Sequence, residues 1–290
     1  MYAITGITGK VGGILARALR AEGLPVRAVL RDAAKGLAWT ALGCEVAPAE
    51  MEDAEALAAA FAGAEAVFIL PPPDFDPEPG YPEARRVVDA VVAALTAAKP
   101  KRVLCLSTIG ADAPHDNLLT QRALLEEALS VLPMPVTFLR PAWFLDNAAW
   151  DLASARTEGV IRSFLAPLDR RFPMVAARDV GLLAARLIRE DGPGRRMVTL
   201  EGPRRVSPND LAEAFARALG RPVHTELVPR ESWEALFRAQ GMRNPGPRIR
   251  MLEGFNQGWI DFPDGGGAVK GSTGVTVAIA ALVEDERSAA

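Results

Sequence analysis

The chain has 290 residues, enough for one large or two small domains, and with 49% hydrophobic and 24% charged residues it has the composition of a soluble globular protein. Its 33 basic residues against 36 acidic ones, a net charge of −3, give none of the electrostatic footprint of a nucleic-acid or anionic-membrane binder. Two cysteines, Cys44 and Cys105, sit in apolar segments and read as buried thiols of a reducing compartment, which leaves no case for a disulfide or a metal site.

No run of about 18 apolar residues is available to span a bilayer. The apolar stretch at the amino terminus is too short for a signal peptide, so the expected location is cytoplasmic. Residues 2–5 predict a buried strand, and helical periodicity follows over 10–21 through Val11, Ile14, Leu15, Ala18 and Leu19. Between them lie Gly6, Gly9 and Gly12 at a spacing of three. A strand that feeds a glycine turn at a helix start sets free backbone N–H groups beside the positive end of the helix dipole, which suits a pyrophosphate. Gly6, Thr8, Gly9, Lys10, Val11 and Gly12 are therefore the first cofactor-binding candidates. The plain alternative is a loop whose glycines only turn the chain tightly.

A second strand over 25–30 delivers Arg31 and Asp32 to its carboxyl end, where a dinucleotide fold meets the adenosine ribose. An acid there accepts from the two ribose hydroxyls of NAD, whereas an arginine clamps a 2′-phosphate. Arg31, with Lys35 one turn on, favours NADP(H) over NAD(H); Asp32 is the competing reading. A third strand is expected at 42–47, and Glu50 and Met51 precede a helix at 54–61. The fourth strand, 64–70, ends in Leu70, Pro71 and Pro72. Its proline-rich continuation to residue 82 either covers the ligand or is a stiff surface loop. A helix over 81–98 and a fifth strand over 101–106 lead to Ser107 and Thr108. Four strand-then-helix repetitions predict an α/β, Rossmann-like doubly wound parallel sheet with ligands at the carboxyl ends of its strands. Glu50, Met51, Leu70, Pro71, Pro72, Ser107 and Thr108 accordingly join the cofactor set.

A helix over 118–129 and a sixth strand over 135–139 follow, and past residue 150 the alternation weakens. A strand at 172–176, a helix at 177–190 and a strand at 196–201 are still legible. Ser207 and Pro208 then read as the cap and first position of a helix over 211–219, stopped by Gly220. His224 falls in a strand-like HTELV, while Trp233 and Phe237 lie at helical spacing and read as core. Gly265, Gly266 and Gly267 form an expected flexible loop, 274–283 a last helix and 284–290 a frayed tail. A relay of Ser107, His115 and Asp112 can be drawn on paper, with nothing in the spacing to support it.

TGITGKVG at 5–12, Arg31-Asp32, CLSTIGA at 105–111, LLTQRALLEEAL at 118–129 and above all TFLRPAWFLDN at 137–147 resemble the NmrA-like branch of the atypical short-chain dehydrogenase/reductases, and the match runs to about residue 282. The resemblance implies an NAD(P)-binding Rossmann domain over 1–150. It also implies a smaller, mainly substrate-binding C-terminal α/β lobe over 151–290, of which about 172–202 returns to the first domain. Relatives include NADPH-dependent quinone and azo-dye reductases as well as cofactor-binding, redox-sensing regulators. By family position Arg122 lies near the nicotinamide, where it either stabilises a developing anion or pairs with Glu126 four residues along. Ile109, Trp143, Phe144 and Asn147 line the substrate pocket by the same resemblance, Trp143 and Phe144 offering flat faces to an aromatic acceptor and Asn147 holding the turn. In the plain reading the aromatics are core and Arg140 is an ion-pair partner.

One departure bears on chemistry. Typical short-chain dehydrogenases use a Tyr-x-x-x-Lys pair, but here Tyr2 and Tyr81 are followed four residues on by Gly6 and Arg85. The expected activity is hydride transfer from NADPH to a quinone, azo compound or similar conjugated small molecule, which delocalises the charge it gains. The alternative is a non-catalytic NADP(H) sensor with a protein partner. An isomerase or lyase has less support, since no poised acid and base are visible.

Overall fold

The computed structural model describes residues 1–192, 194–262 and 267–289, with side chains through residue 286, so Gly265, Gly266 and Ala290 lie outside the described residues. In chain order come β1 (Tyr2–Ile4), α1 (Lys10–Ala21), β2 (Val26–Leu30), α2 (Gly36–Ala41), β3 (Glu45–Pro48), α3 (Ala54–Phe61), β4 (Ala66–Ile69), α4 (Pro82–Ala98), β5 (Arg102–Leu106), α5 (Thr120–Ser130) and β6 (Val136–Pro141). The second half holds β7 (Trp143–Phe144), α6 (Leu152–Thr157), β8 (Val160–Ser163), β9 (Met174–Val175), α7 (Ala177–Leu187), β10 (Arg195–Glu201), α8 (Pro208–Leu219), β11 (His224–Leu227), α9 (Trp233–Ala239), α10 (Gly246–Gln257), β12 (Val269–Lys270) and α11 (Val275–Ala289).

The described strands build one parallel sheet in the order β12-β10-β6-β5-β4-β1-β2-β3, the expected doubly wound α/β arrangement. Its strands are apolar on both sides because both faces are covered. Tyr2, Ile4, Phe68, Leu104 and Leu106 pack toward α1 and α7, while the alternate residues Ala3, Val67, Ile69, Val103 and Cys105 pack toward α3, α4 and α5. Burying a side chain such as Phe68 contributes about 2–3 kcal/mol. Strand order reverses between β1 and β4, which opens a crevice at their carboxyl ends.

In the second half of the chain β10 pairs in parallel with β6, and β12 with β10. Two small parallel pairs, β8 with β11 and β7 with β9, stand outside that sheet. Ser207 caps α8 through a reciprocal bond with Asp210, and Gly220 ends that helix in the left-handed conformation. Trp233 and Phe237 are core, as their spacing predicts.

Two expectations need correction, and two stretches hold elements that no expectation covered. The third strand begins at Glu45, not residue 42, because α2 buries Trp39 and unwinds through Leu42 and Gly43, whose N–H groups bond back to Trp39 and Thr40. The tail from 284 is helical to Ala289: α11 continues, with Glu286 paired to Arg156 at 2.5 Å. Between residues 145 and 163 the chain forms a 3-10 segment, α6 and β8, and 246–257 forms α10, none of which local periodicity revealed. Among the described residues no helix is long and apolar enough to cross a membrane.

Candidate functional site

The crevice at the strand reversal is built by the turn after β1. Gly6 has φ +62°, and a side chain there would meet Leu70 at 3.0 Å, so the left-handed glycine lets the turn fold under the end of β4. Gly9 donates its N–H to the Gly6 carbonyl at 3.0 Å. A Cβ on Gly12 would lie 2.4 Å from that same carbonyl oxygen, so α1 starts as close to the turn as a backbone allows. No side chain caps α1 and no acid occupies its first turn, leaving its N–H groups and positive dipole end for an anion. Thr5, which local reading missed, clasps the crevice: its Oγ1 donates to the Phe68 carbonyl at 2.9 Å and accepts from the Leu70 N–H at 2.8 Å.

Thr8 and Lys10 are exposed beside this turn, while the Val11 side chain is core, which leaves only its backbone facing the crevice. Lys10 is already engaged, its Nζ 2.9 Å from Asp146, whose other oxygen accepts from the Ala177 N–H at 2.7 Å at the start of α7. At the end of β2, Asp32 accepts from the Ala34 N–H at 3.0 Å and caps the turn 33–35. Arg31 and Lys35 are exposed and make no ion pair among the described residues. Glu50 is exposed past β3, and Met51 is half-buried against the core beneath α3. Past β4, Pro71 is buried and Pro72 exposed. Ser107, at the end of β5, is 5% exposed and its Oγ has no hydrogen-bond partner.

Arg122 does not pair with Glu126. Glu126 is taken by Arg140 in a two-pronged contact of 2.8 and 2.6 Å, and Arg140 also holds Asp112 at 2.5 Å, so Arg140 is the ion-pair partner of the plain reading. Position across the fold decides this: Arg140 leaves β6 directly beneath the inner face of α5, where Glu126 is buried. The half-buried Arg122 instead donates to the Pro71 carbonyl at 3.0 Å and faces no carboxylate among the described residues, and burial pulls its pKa below the usual arginine range. The Ser107, His115 and Asp112 relay is not assembled either. Asp112 serves Arg140, the His115 ring stands edge-on to Trp259 at 5.1 Å, and Ser107 Oγ touches neither. Tyr81 is no substitute acid: its hydroxyl donates to Asp116 and the Asn117 carbonyl, and burial with that carboxylate pushes its pKa up to about 12.

A cavity of about 870 Å³ is lined by residues just past the ends of β5 and β6 together with residues of α6, α8, α9 and α10. Thr108, Ile109, Trp143, Phe144 and Asn147 all line it; the other cofactor candidates and Arg122 do not. Trp143 stands edge-on to Phe255 at 5.1 Å. The Asn147 side chain makes no hydrogen bond among the described residues; Asp146 holds that turn instead, by its bond to Ala177. Among the lining residues that local reading missed are Trp150, Asp151, Phe164 and Arg248, which come from a 3-10 segment, a loop and α10. The proline-rich loop is more than a stiff surface turn. Its Phe75 lines the cavity and stands edge-on to Trp150 at 6.0 Å, while Asp76 accepts from the Arg243 and Asn244 N–H groups at 2.9 and 2.7 Å. Among the described residues no cluster of three or more His, Cys, Asp or Glu is placed to hold a metal ion.

The model of the NmrA-like family matches residues 2–245. The chain is 28% identical over 245 residues to an NAD(P)H azoreductase of Xenophilus azovorans, covering 83% of this chain and 82% of that one. It is 30% identical over 228 residues, 78% of this chain and 76% of the other, to a (4-alkanoyl-5-oxo-2,5-dihydrofuran-3-yl)methyl phosphate reductase of Streptomyces griseus subsp. griseus. Its fold matches that of an NADPH-dependent quinone oxidoreductase of Escherichia coli solved with NADPH, with a TM-score of 0.79 at 23% identity over 97% of this chain and 99% of that one.

Proposed function

The chain belongs to the NmrA-like family, and from that premise we propose that it is an NADPH-dependent reductase of quinones, azo compounds or similar conjugated acceptors. The single observation that carries this reading is an aromatic cavity, large enough for a small-molecule acceptor, that includes Thr108 and Ile109 just past the carboxyl end of β5. The azoreductase and the (4-alkanoyl-5-oxo-2,5-dihydrofuran-3-yl)methyl phosphate reductase among its relatives support it.

The residues present fit a dinucleotide. The space over Gly12 admits no side chain, the start of α1 is uncapped, and the buried Ser107 hydroxyl lacks a partner that a ligand atom would supply. In this reading the backbone of 6–12 holds the pyrophosphate, with Ser107 and Thr108 beneath the nicotinamide end. Arg31 and Lys35 take the 2′-phosphate, because Asp32 is spent on its own turn. Residues 1–150 thus carry the cofactor and 151–290 mainly the acceptor, with 172–202 returned to the first domain, in a cytoplasmic protein. When bound, NADPH supplies the hydride. Trp143 and Phe144 orient a flat acceptor and exclude water, which is worth most where the reacting atoms are held in line. Arg122, a guanidinium without a counter-charge, favours a region of developing negative charge.

Arg31→Asp is expected to weaken NADPH binding at least tenfold, about 1.4 kcal/mol, and to spare NADH. Titration of both nucleotides checks it, and equal losses would remove the 2′-phosphate assignment. The function itself is tested by NADPH oxidation with a panel of quinones, azo dyes and enones. The expected result is consumption well above the rate without acceptor. A saturated protein that consumes none with any of them would leave cofactor sensing in place of the reductase.

A further inference from the structure

Two charges of opposite sign face the aromatic cavity without a counter-charge. Asp151 lines it at the end of the 3-10 segment Leu145–Asp151, and no cation or hydrogen-bond donor among the described residues reaches its carboxylate. Arg248, from α10, lines it too. Its guanidinium stacks 4.5 Å from the centre of the Phe237 ring, and its one polar contact is the Met242 sulfur at 3.7 Å. The other charged groups on the cavity, Glu158 and Arg162, neutralise each other at 2.5 Å. Asp151 and Arg248 do not pair with one another, although both line the same cavity.

We propose that the cavity binds a flat conjugated molecule charged at both ends, with a cationic nitrogen against Asp151 and a carboxylate or sulfonate against Arg248. The proposal rests on the reductase reading of this site and names the class of acceptor it takes. An unpaired charge held out of water is costly, and a ligand that brings the opposite charge relieves that cost at each end. A ligand of one sign leaves the other residue unrelieved, and a neutral one leaves both. Trp143 and Trp150 line the same cavity, and an indole ring attracts a cation. Burial pushes the Asp151 carboxyl up to about 6, still below pH 7, where the ionised form prevails. Recognition of the cationic end is therefore expected to fade below about pH 6, where Asp151 is protonated while the Glu158–Arg162 pair and Arg248 stay charged.

The test uses four matched probes on the full chain without NADPH, read by quenching of tryptophan fluorescence. They are azobenzene, its 4-trimethylammonio derivative, its 4′-carboxylate, and the compound that carries both groups. The doubly charged probe is expected to bind at least tenfold tighter than azobenzene. Asp151→Asn should weaken the two ammonium-bearing probes at least fivefold and leave the simple carboxylate unchanged. Arg248→Gln should do the converse, and Arg248→Lys should keep the gain. Equal dissociation constants for all four probes, or variants that shift all four alike, would overturn the proposal. Because no turnover is read, the expected binding ladder without NADPH consumption would sink the reductase alone, and consumption without the ladder would sink only this inference.

Discussion

Alanine at Gly12 is expected to weaken NADPH binding by at least two orders of magnitude, about 3 kcal/mol. The added Cβ would sit 2.4 Å from the Gly6 carbonyl oxygen, 2.7 Å from its carbon and 3.0 Å from the Ile7 Cα. All three are backbone atoms, so no side chain can swing aside, and either α1 backs away from the turn or the turn opens. In both cases the N–H groups of the first helical turn move relative to the crevice between β1 and β4, and their value to a pyrophosphate depends on that spacing. The same displacement strains the contact of α1 with the sheet, at about 1–3 kcal/mol of folding stability. The measurement is a fluorescence titration with NADPH at a temperature where circular dichroism shows the variant folded. A folded Gly12→Ala protein with native affinity would remove the diphosphate from this turn, and with it the proposed function.

Asp151→Asn is expected to stabilise the protein at pH 8 by about 2–3 kcal/mol, several degrees in Tm for a chain of this length. Burial without a partner pushes the carboxyl up to about 6 from its ordinary 3.8, so the folded state holds this proton more tightly than the unfolded chain does. For an acid so shifted, the cost of ionisation is fully present above pH 6. It shrinks as the pH falls from 6 toward 4 and is absent below the unfolded value. The amide keeps the shape and never ionises, so its advantage should follow the same course: full at pH 8, smaller at pH 5, gone near pH 4. Glu158, Arg162 and Arg248 also face the cavity, but they are common to both proteins and cancel in the difference. Thermal melts of both proteins across this range decide it, and an advantage independent of pH would mean that Asp151 is not the titrating group. A carboxyl that lowers stability and touches nothing is what a binding residue looks like before its ligand arrives.

Much of the site was legible because it is local. The strand at 2–4, the glycine turn and α1 follow one another within 21 residues, and their pattern specifies both the turn and the free helix start. The cap at Ser207, the stop at Gly220 and the continuous apolar strands are likewise read from a few neighbouring residues. Even the pocket residues Ile109, Trp143, Phe144 and Asn147 were reached through family resemblance, since they sit just past strand ends.

By itself, then, the sequence determined the parallel sheet, the order of its elements, and the residues waiting at the carboxyl edge, because hydrophobic period and turn chemistry act over a handful of positions. Only the tertiary structure decided who meets whom. Glu126 passes over Arg122 four residues away for Arg140, and Lys10 finds Asp146 across 136 positions. Asp151 and Arg248, nearly a hundred residues apart, face one cavity without touching. Those choices rest on which buried faces pack together, a property of the assembled core that no window of neighbouring residues contains.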